Sequence, residues 1–194
     1  MTYSPPDAAA FVDRIAESPC CAAITAEEQV DAAIMGRAPV VFILRGNGLQ
    51  MGHVVKRVHE AGKLVAVHVD LVGGLRADRA SVAWLAGAGV DAVISSHGQL
   101  MAPIRHEGMT AILRLLLTRR SLLDTAVGAI GRSNPNIVEV LPGVILPSVA
   151  ALLPDFGVPV LAGGFIRTAT DVDAVLASGA LGVTTSAAQL WARA

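Results

Sequence analysis

The stretch "PVLAGGFIRTATDVDAVLASGALGVTTS", residues 159–186, contains two apolar runs separated by a helical pattern. The first run ends at paired glycines, Gly163 and Gly164, and the second ends in Thr-Thr-Ser. Between them, Thr168 or Thr170 is a suitable N-cap, and Gly179 is a suitable helix end. This order predicts a strand, a helix and a second, parallel strand. An apolar strand that stops at two glycines usually does so because another group approaches the backbone closely.

Short apolar runs of the same kind recur about every 23 residues between residues 20 and 180. They are continuously apolar rather than alternating, which is typical of parallel strands covered on both faces. Helical patterns lie between them, for example at residues 48–62 and 78–89, where Asp78 is the expected N-cap. The eight runs are "CCAAI", "VVFILRG", "LVAVHVD", "AVISSH", "TAILRLLL", "IVEVLPG", "PVLAGGFI" and "ALGVTTS".

Eight alternating strands and helices predict an α/β fold, a compact (β/α)8 TIM barrel with a parallel sheet. We predict a single domain over residues 1–194, with residues 1–15 as a short N-terminal helical lead-in. The alternative is an open doubly wound sheet, favoured by "GNGLQMG" at residues 46–52 and by Asp70 after the next strand. Its glycine spacing is one residue longer than the dinucleotide-binding fingerprint, so the barrel is preferred.

The composition of the chain narrows the possible classes of function. Hydrophobic residues make up 53% and charged residues 16%, which is enough for a large core and argues against disorder. The net charge is -1 and there are seven aromatic residues, so neither a basic field nor a base-stacking platform is indicated. No apolar run is long enough to cross a bilayer, and no secretion signal is present. The two cysteines, Cys20 and Cys21, are interpreted as buried residues of a cytoplasmic protein.

Ligands of such barrels bind at the C-terminal ends of the strands. Gly163 and Gly164 follow the seventh strand, and Thr185 and Ser186 follow the eighth. In this fold the seventh loop and the helix start after the eighth strand commonly bind phosphate, because free backbone N–H groups and the helix dipole favour an anion. We therefore predict a phosphate site at these four residues. The alternative is that the glycines only permit a tight turn.

Polar residues at other strand ends predict a second part of the site. His68 and Asp70 alternate along the third strand, so we expect both to face the barrel interior. Arg114 and Glu139 lie on the fifth and sixth strands, and Arg45 follows the second. A cluster of this kind is more than a purely structural core needs. It can hold the hydroxyl groups of a small polyol, or carry out acid–base chemistry.

An enzyme acting on a small phosphorylated substrate, with Asp70 or Glu139 as general base, is the alternative function. The only lysines are Lys56 and Lys63, and neither is at a strand end, which weakens a Schiff-base aldolase mechanism. We predict no catalytic residue, no metal site and no cofactor.

The ordered motifs resemble the glycerol-3-phosphate-responsive antiterminator family. The resemblance extends from about Ala38 to Trp191 and is sharpest in "VHVDL", "EVLPG", "AGG" and "TTS". It implies a compact barrel, without established enzymatic activity, that binds glycerol 3-phosphate and acts on the leader of glycerol-utilisation mRNA to prevent transcription termination. The phosphate would then contact the four residues predicted above. The glycerol hydroxyls would contact Asp70, Glu139 and Arg114.

Some positions depart from the family pattern at the rim of the barrel. His97 in "ISSH" replaces an expected lysine, and Gly73 and Gly74 stand where an acidic residue is expected. The segment "RLLLTRRS" is more basic than the usual pattern. We predict weak RNA contacts from Arg119, Arg120 and Arg132, whose charges suit backbone phosphates. A homodimer would widen this basic surface, and no membrane partner is expected.

Overall fold

A computed structural model of the chain describes residues 3–118 and 121–192, and for residues 121–124 it describes the backbone only. Eight parallel strands form a closed barrel, in which β1 pairs with both its sequence neighbour and the last strand. The barrel is confirmed, and the open sheet is wrong. Each apolar run contains one of these strands: β1 Cys20–Ile24, β2 Val40–Ile43, β4 Leu64–His68, β6 Ala92–Ser95, β7 Thr110–Leu116, β8 Ile137–Leu141, β9 Val160–Gly163 and β10 Gly182–Thr185.

Helices cover the outside of the barrel and begin where the sequence signals predict. The Asp78 carboxylate accepts a hydrogen bond from the Ser81 N–H at 2.9 Å, and the Thr168 hydroxyl accepts one from the Asp171 N–H at 3.1 Å. These bonds satisfy N–H groups that lack partners within the helix. The α-helices are α1 Ala8–Glu17, α2 Val30–Met35, α3 Gly48–Glu60, α4 Arg79–Gly87, α5 Met101–His106, α6 Ser121–Ser133, α7 Leu146–Val149 and α8 Ala169–Ala177. No helix in the described ranges combines the length and apolarity that a membrane span requires.

The chain after β10 differs from the sequence expectation. Between β10 and residue 192 the chain forms a single 3₁₀ turn, Ala188–Leu190, where we expected an α-helix. The turn leads to the buried Trp191, whose carbonyl accepts hydrogen bonds from Arg37 N–H at 2.7 Å and Ala38 N–H at 3.1 Å. The end of the described chain therefore reaches back to the start of β2. Any phosphate site beside β10 lacks the α-helix dipole that we expected there.

The barrel interior is filled by apolar side chains in its lower part and by polar ones near the mouth. Phe11 and Ile15 of α1 are fully buried and pack against interior residues such as Val40 and Ile112. The lead-in helix, which starts at Ala8 and ends at Glu17, thus closes the end of the barrel where the strands begin. The opposite end is open and carries the polar groups.

Two short elements shape the rim of the open end. The two-residue strands β3 (Gly46–Asn47) and β5 (Val72–Gly73) pair in parallel outside the barrel. They occupy the loops that the dinucleotide-binding alternative would have used. Strand β4 ends at His68, and Asp70 lies in a 3₁₀ turn, Val69–Leu71. The prediction that His68 and Asp70 alternate along one strand is therefore wrong.

Candidate functional site

A cavity of about 270 Å³ opens at the C-terminal ends of the strands. It brings together all four residues of the predicted phosphate site with two residues of the predicted polyol site. Its walls come from β1, from β7 to β10, and from the loops that follow β2, β9 and β10. The lining residues are Ala23, Thr25, Leu44, Arg114, Glu139, Leu141, Gly163, Gly164, Phe165, Ile166, Arg167, Thr184, Thr185 and Ser186.

A buried ion pair forms the floor of this cavity. Arg114 Nε and a terminal guanidinium nitrogen each lie 2.7 Å from Glu139 Oε2. The Thr184 hydroxyl donates a hydrogen bond to Glu139 Oε1 at 2.7 Å. Strand register places these side chains together, because Arg114 is paired with Glu139 and both point inward. The carboxylate is thus oriented from both sides and its charge is matched.

The paired glycines have two separate structural causes. A Cβ atom on Gly163 would lie 2.5 Å from Thr184 Oγ1 and 2.8 Å from Glu139 Oε1, so a side chain there would disrupt the buried polar group. Gly164 has φ +86°, a conformation that only glycine adopts without strain. Other groups therefore do approach the backbone of Gly163 closely. These groups are the Thr184 and Glu139 side chains of the protein itself.

The two residues after the eighth barrel strand have different surroundings. The Thr185 hydroxyl is buried; it donates to the Ile166 carbonyl at 2.6 Å and accepts from the Ala187 N–H at 3.1 Å. Its side chain therefore ties the loop after β9 to the loop after β10. Ser186 is exposed at the mouth of the cavity. Of the two predicted hydroxyl contacts, that of Ser186 is the one that faces the opening.

His68 lies outside the cavity lining, inside the barrel near Arg114. Its side chain is buried, with 2% of the residue exposed, and Nδ1 has no hydrogen-bond partner in the described chain. Burial, and after it the positive charge of Arg114, lowers the pKa of His68 to about 4. The imidazole is therefore neutral at physiological pH. It does not add positive charge to the site.

Asp70 is directed away from the cavity and toward the loop after β6. Its Oδ1 accepts a hydrogen bond from the Ser95 hydroxyl at 2.6 Å, and Oδ2 accepts one from the Ser96 N–H at 2.8 Å. The Ser95 hydroxyl also accepts from the His97 N–H at 3.0 Å. Asp70 thus organises the loop that carries His97. The structure separates the predicted polyol cluster into Arg114 with Glu139 at the cavity, and His68 with Asp70 beside it.

The remaining predicted residues are dispersed. Arg45 is exposed and lines a separate small cavity that also contains Glu27. Arg132 lies in the last turn of α6 and does not line the cavity. Arg119 and Arg120 lie outside the described residues, so their contact with RNA stays a prediction.

Sequence reasoning assigned six of the fourteen lining residues to the site and left eight without a role, among them Thr184, Phe165 and Arg167. Thr184 was recognisable, because it is the last inward position on β10 and its partner Gly163 is small. Arg167 and Phe165 follow the paired glycines on an irregular loop, where no periodicity indicates the direction of a side chain. Within the described parts of the chain, no three His, Cys, Asp or Glu side chains form a group that could hold a metal ion.

Comparison with known proteins identifies relatives over nearly the whole chain. Residues 20–191 match the family described as glycerol-3-phosphate responsive antiterminators. The glycerol uptake operon antiterminator regulatory protein of Listeria monocytogenes is 30% identical, with a TM-score of 0.81 over 87% of this chain and 92% of that one. A glycerol uptake operon antiterminator-related protein of Thermotoga maritima is 26% identical, with a TM-score of 0.79 over 89% and 96%. The Escherichia coli K12 protein YgcP, itself uncharacterised, is 24% identical over 176 residues, 90% of this chain and 92% of YgcP.

Proposed function

Because the chain belongs to the glycerol-3-phosphate responsive antiterminator family, we propose that its barrel mouth binds glycerol 3-phosphate and that the liganded protein acts on an mRNA leader as a transcription antiterminator. One observation carries the proposal: a single cavity joins a glycine- and hydroxyl-lined edge to a buried, oriented carboxylate. The first feature suits a phosphate group and the second suits hydroxyl groups. Both ends of the ligand therefore have partners of the right chemistry.

The charge of the cavity supports an anionic ligand. Its charged lining residues are Arg114, Glu139 and Arg167, which leaves one net positive charge. Arg114 is already paired with Glu139, whereas the Arg167 guanidinium has no hydrogen-bond or ion-pair partner among residues 3–118 and 121–192. The phosphate would lie against Gly164, Ser186 and Arg167. Charge-assisted hydrogen bonds of this kind are among the strong ones in proteins.

The glycerol moiety would lie toward the ion pair. Glu139 accepts one hydrogen bond at Oε1, and each carboxylate oxygen has two lone pairs, so a ligand hydroxyl can also bind there. A volume of about 270 Å³ lies just below the usual range for ligand pockets, which suits a metabolite with few heavy atoms. The floor is fixed before the ligand arrives, so little ordering is required on binding.

The geometry gives less support to the alternative of an enzyme with Asp70 or Glu139 as general base. Both oxygens of each carboxylate already accept hydrogen bonds from protein donors, which suits an orienting role. Lys63 Nζ donates to the Gly36 and Ala38 carbonyls at 2.6 and 2.7 Å, at the closed end of the barrel. Lys56 Nζ lies 3.7 Å from the Glu60 carboxylate on α3, so neither of the two lysines lines the cavity. We propose a regulatory protein without catalytic residues.

The thermal midpoint in the presence of glycerol 3-phosphate, with inorganic phosphate and glycerol as controls, tests the ligand. A ligand at 100 times its Kd that binds only the folded chain adds about 2.7 kcal/mol to the free energy of unfolding, or roughly 5–11 °C for a domain of this size. We expect glycerol 3-phosphate to raise the midpoint more than phosphate does. Arg167→Ala should reduce the rise, and Arg37→Ala, an exposed arginine at the closed end, should not. Equal midpoints with and without ligand would contradict the proposal.

A further inference from the structure

Phe165 combines two features that are each unfavourable in a soluble protein. The residue is 70% exposed, and its φ is +60°, in the left-handed region. Among the described non-glycine residues, only Asn134 shares a positive φ, and asparagine tolerates this conformation far better than a bulky residue does. Strained residues of this type concentrate at ligand sites and switch regions. Neither burial nor backbone preference explains a phenylalanine here.

The loop around Phe165 is fixed on both sides. Gly163 ends β9, and Gly164 takes its own positive φ. Ile166 is buried, and its carbonyl accepts the hydrogen bond from Thr185. The Arg167 N–H donates to the Asp171 carboxylate at 2.9 Å. These anchors hold Phe165 at the rim of the cavity and leave most of its ring in solvent.

An aromatic ring and a cation that has no partner among the described residues therefore lie two residues apart on one exposed loop. Every nucleobase has an apolar face that stacks on an aromatic ring, and a guanidinium binds the adjacent backbone phosphate. We propose that Phe165 stacks on an unpaired base of single-stranded RNA, while Arg167 contacts a phosphate group of the ligand or of that nucleotide. This inference rests on the proposed function and places the RNA contact at the mouth of the barrel, on residues other than Arg132.

The position of Phe165 also supplies a link between ligand and RNA. Gly164, Phe165 and Arg167 all line the cavity and belong to one loop. A bound phosphate that contacts Gly164 and Arg167 would restrict this loop. Because the loop is already held by its own hydrogen bonds, the ligand would remove only its residual motion before the RNA binds. The chain has a net charge of only -1, so RNA affinity must come from such local contacts.

The test uses an RNA selected from a random 40-nucleotide pool by the wild-type protein at saturating glycerol 3-phosphate. The affinity of Phe165→Ala for this RNA is measured at ligand saturation, so that a weaker ligand site cannot mimic the result. We expect roughly 5- to 150-fold weaker RNA binding, the range for loss of one stacked base. Phe165→Tyr should restore most of the affinity. The matched control is Trp84→Ala, which removes a 42% exposed aromatic residue from α4 and should bind RNA as the wild type does.

The variant Phe165→Gly distinguishes a loss of base stacking from a loss of RNA binding caused by destabilisation of the fold. It relieves the positive φ, so we expect a higher thermal midpoint together with weakened RNA binding. Wild-type RNA affinity in Phe165→Ala would overturn the stacking contact and leave the proposed function intact. Failure of the wild type to enrich any RNA would overturn both. A loss of RNA binding that accompanies loss of a wild-type dimer, measured by light scattering, would assign Phe165 to a protein contact and overturn the inference.

Discussion

The substitution Glu139→Ala removes the carboxylate that joins Arg114 to Thr184 inside the barrel. In the wild type both nitrogen contacts of Arg114 to Oε2 are 2.7 Å, and the Thr184 hydroxyl is 2.7 Å from Oε1. The Arg114 and Glu139 side chains are 8% and 1% exposed, so little water reaches either of them. The variant leaves a buried guanidinium without its counter-charge and a hydroxyl without its acceptor.

The burial of this ion pair sets the expected decrease in the free energy of unfolding of Glu139→Ala. Removal of one partner from a buried ion pair costs about 3–5 kcal/mol, because the remaining charge stays desolvated. For a domain of 150–250 residues each kcal/mol lowers the thermal midpoint by about 2–4 °C, so we expect a decrease of roughly 6–20 °C. Arg114→Met combined with Glu139→Met removes both charges and keeps the volume. This double variant still leaves the Thr184 hydroxyl without its acceptor, so it should be somewhat less stable than the wild type but far more stable than Glu139→Ala.

Urea unfolding followed by circular dichroism, without phosphate or ligand, measures these free energies. The slope of the unfolding free energy against urea should be unchanged, so that the midpoints report stability alone. Glu139→Gln keeps an acceptor for Thr184 while removing the charge, and should lie between Glu139→Ala and the wild type. A cost below about 1 kcal/mol for Glu139→Ala would refute the reasoning, because it would mean that the Arg114 charge is solvated through the cavity.

Two further predictions concern the same end of the barrel. Gly163→Ala places a Cβ 2.5 Å from Thr184 Oγ1, whereas the Cβ of Gly164→Ala meets no atom closer than 3.7 Å and bears only the strain of its positive φ, about 1–2 kcal/mol. In urea unfolding, Gly163→Ala should therefore lower the free energy of unfolding more than Gly164→Ala does. The reverse order would contradict the close approach of Thr184 to Gly163. The pKa of His68 is lowered from 6.5 to about 4 in the folded state, so the unfolded chain binds the extra proton between these pH values. The free energy of unfolding should therefore fall as pH drops from 6.5 to 4, by at most about 1.4 kcal/mol per pH unit. His68→Asn should flatten this slope, and the exposed control His106→Gln should not. An unchanged slope in His68→Asn, or equal flattening in both variants, would contradict the attribution of the pH dependence to His68.

The fold was predictable because it depends on patterns that repeat along the chain. Continuous apolar runs gave the positions of all eight barrel strands, and Asp78 and Thr168 marked two helix starts. Each of these signals acts over a few residues and does not depend on distant groups. The 3₁₀ turn after β10 was not predicted, because it is fixed by a long-range contact between Trp191 and the start of β2.

The directions of polar side chains at the mouth were only partly predictable. Arg114 and Glu139 were expected in the cluster as residues of later strands, and their strand pairing brings them together. Alternation along a strand was applied only to His68 and Asp70. It misplaced Asp70, because β4 ends at His68 and the following turn rotates the chain. The Thr185 hydroxyl was expected to face a ligand but bonds the Ile166 carbonyl, and nothing local to Thr185 indicates that partner. Period-two reasoning is thus valid only as far as the strand continues.

The paired glycines show why one sequence signal can have more than one physical cause. Gly163 is small because Thr184 and Glu139 need the space, and Gly164 is glycine because its φ is positive. Neither requirement by itself involves a ligand, so the proposed phosphate site needs the cavity and its charge as support in addition to the glycines. The same backbone geometry turns the next residue outward, which exposes Phe165 and brings Arg167 to the rim. The stretch that completes the barrel core therefore also forms the surface through which, in the proposed function, ligand binding would affect an RNA partner.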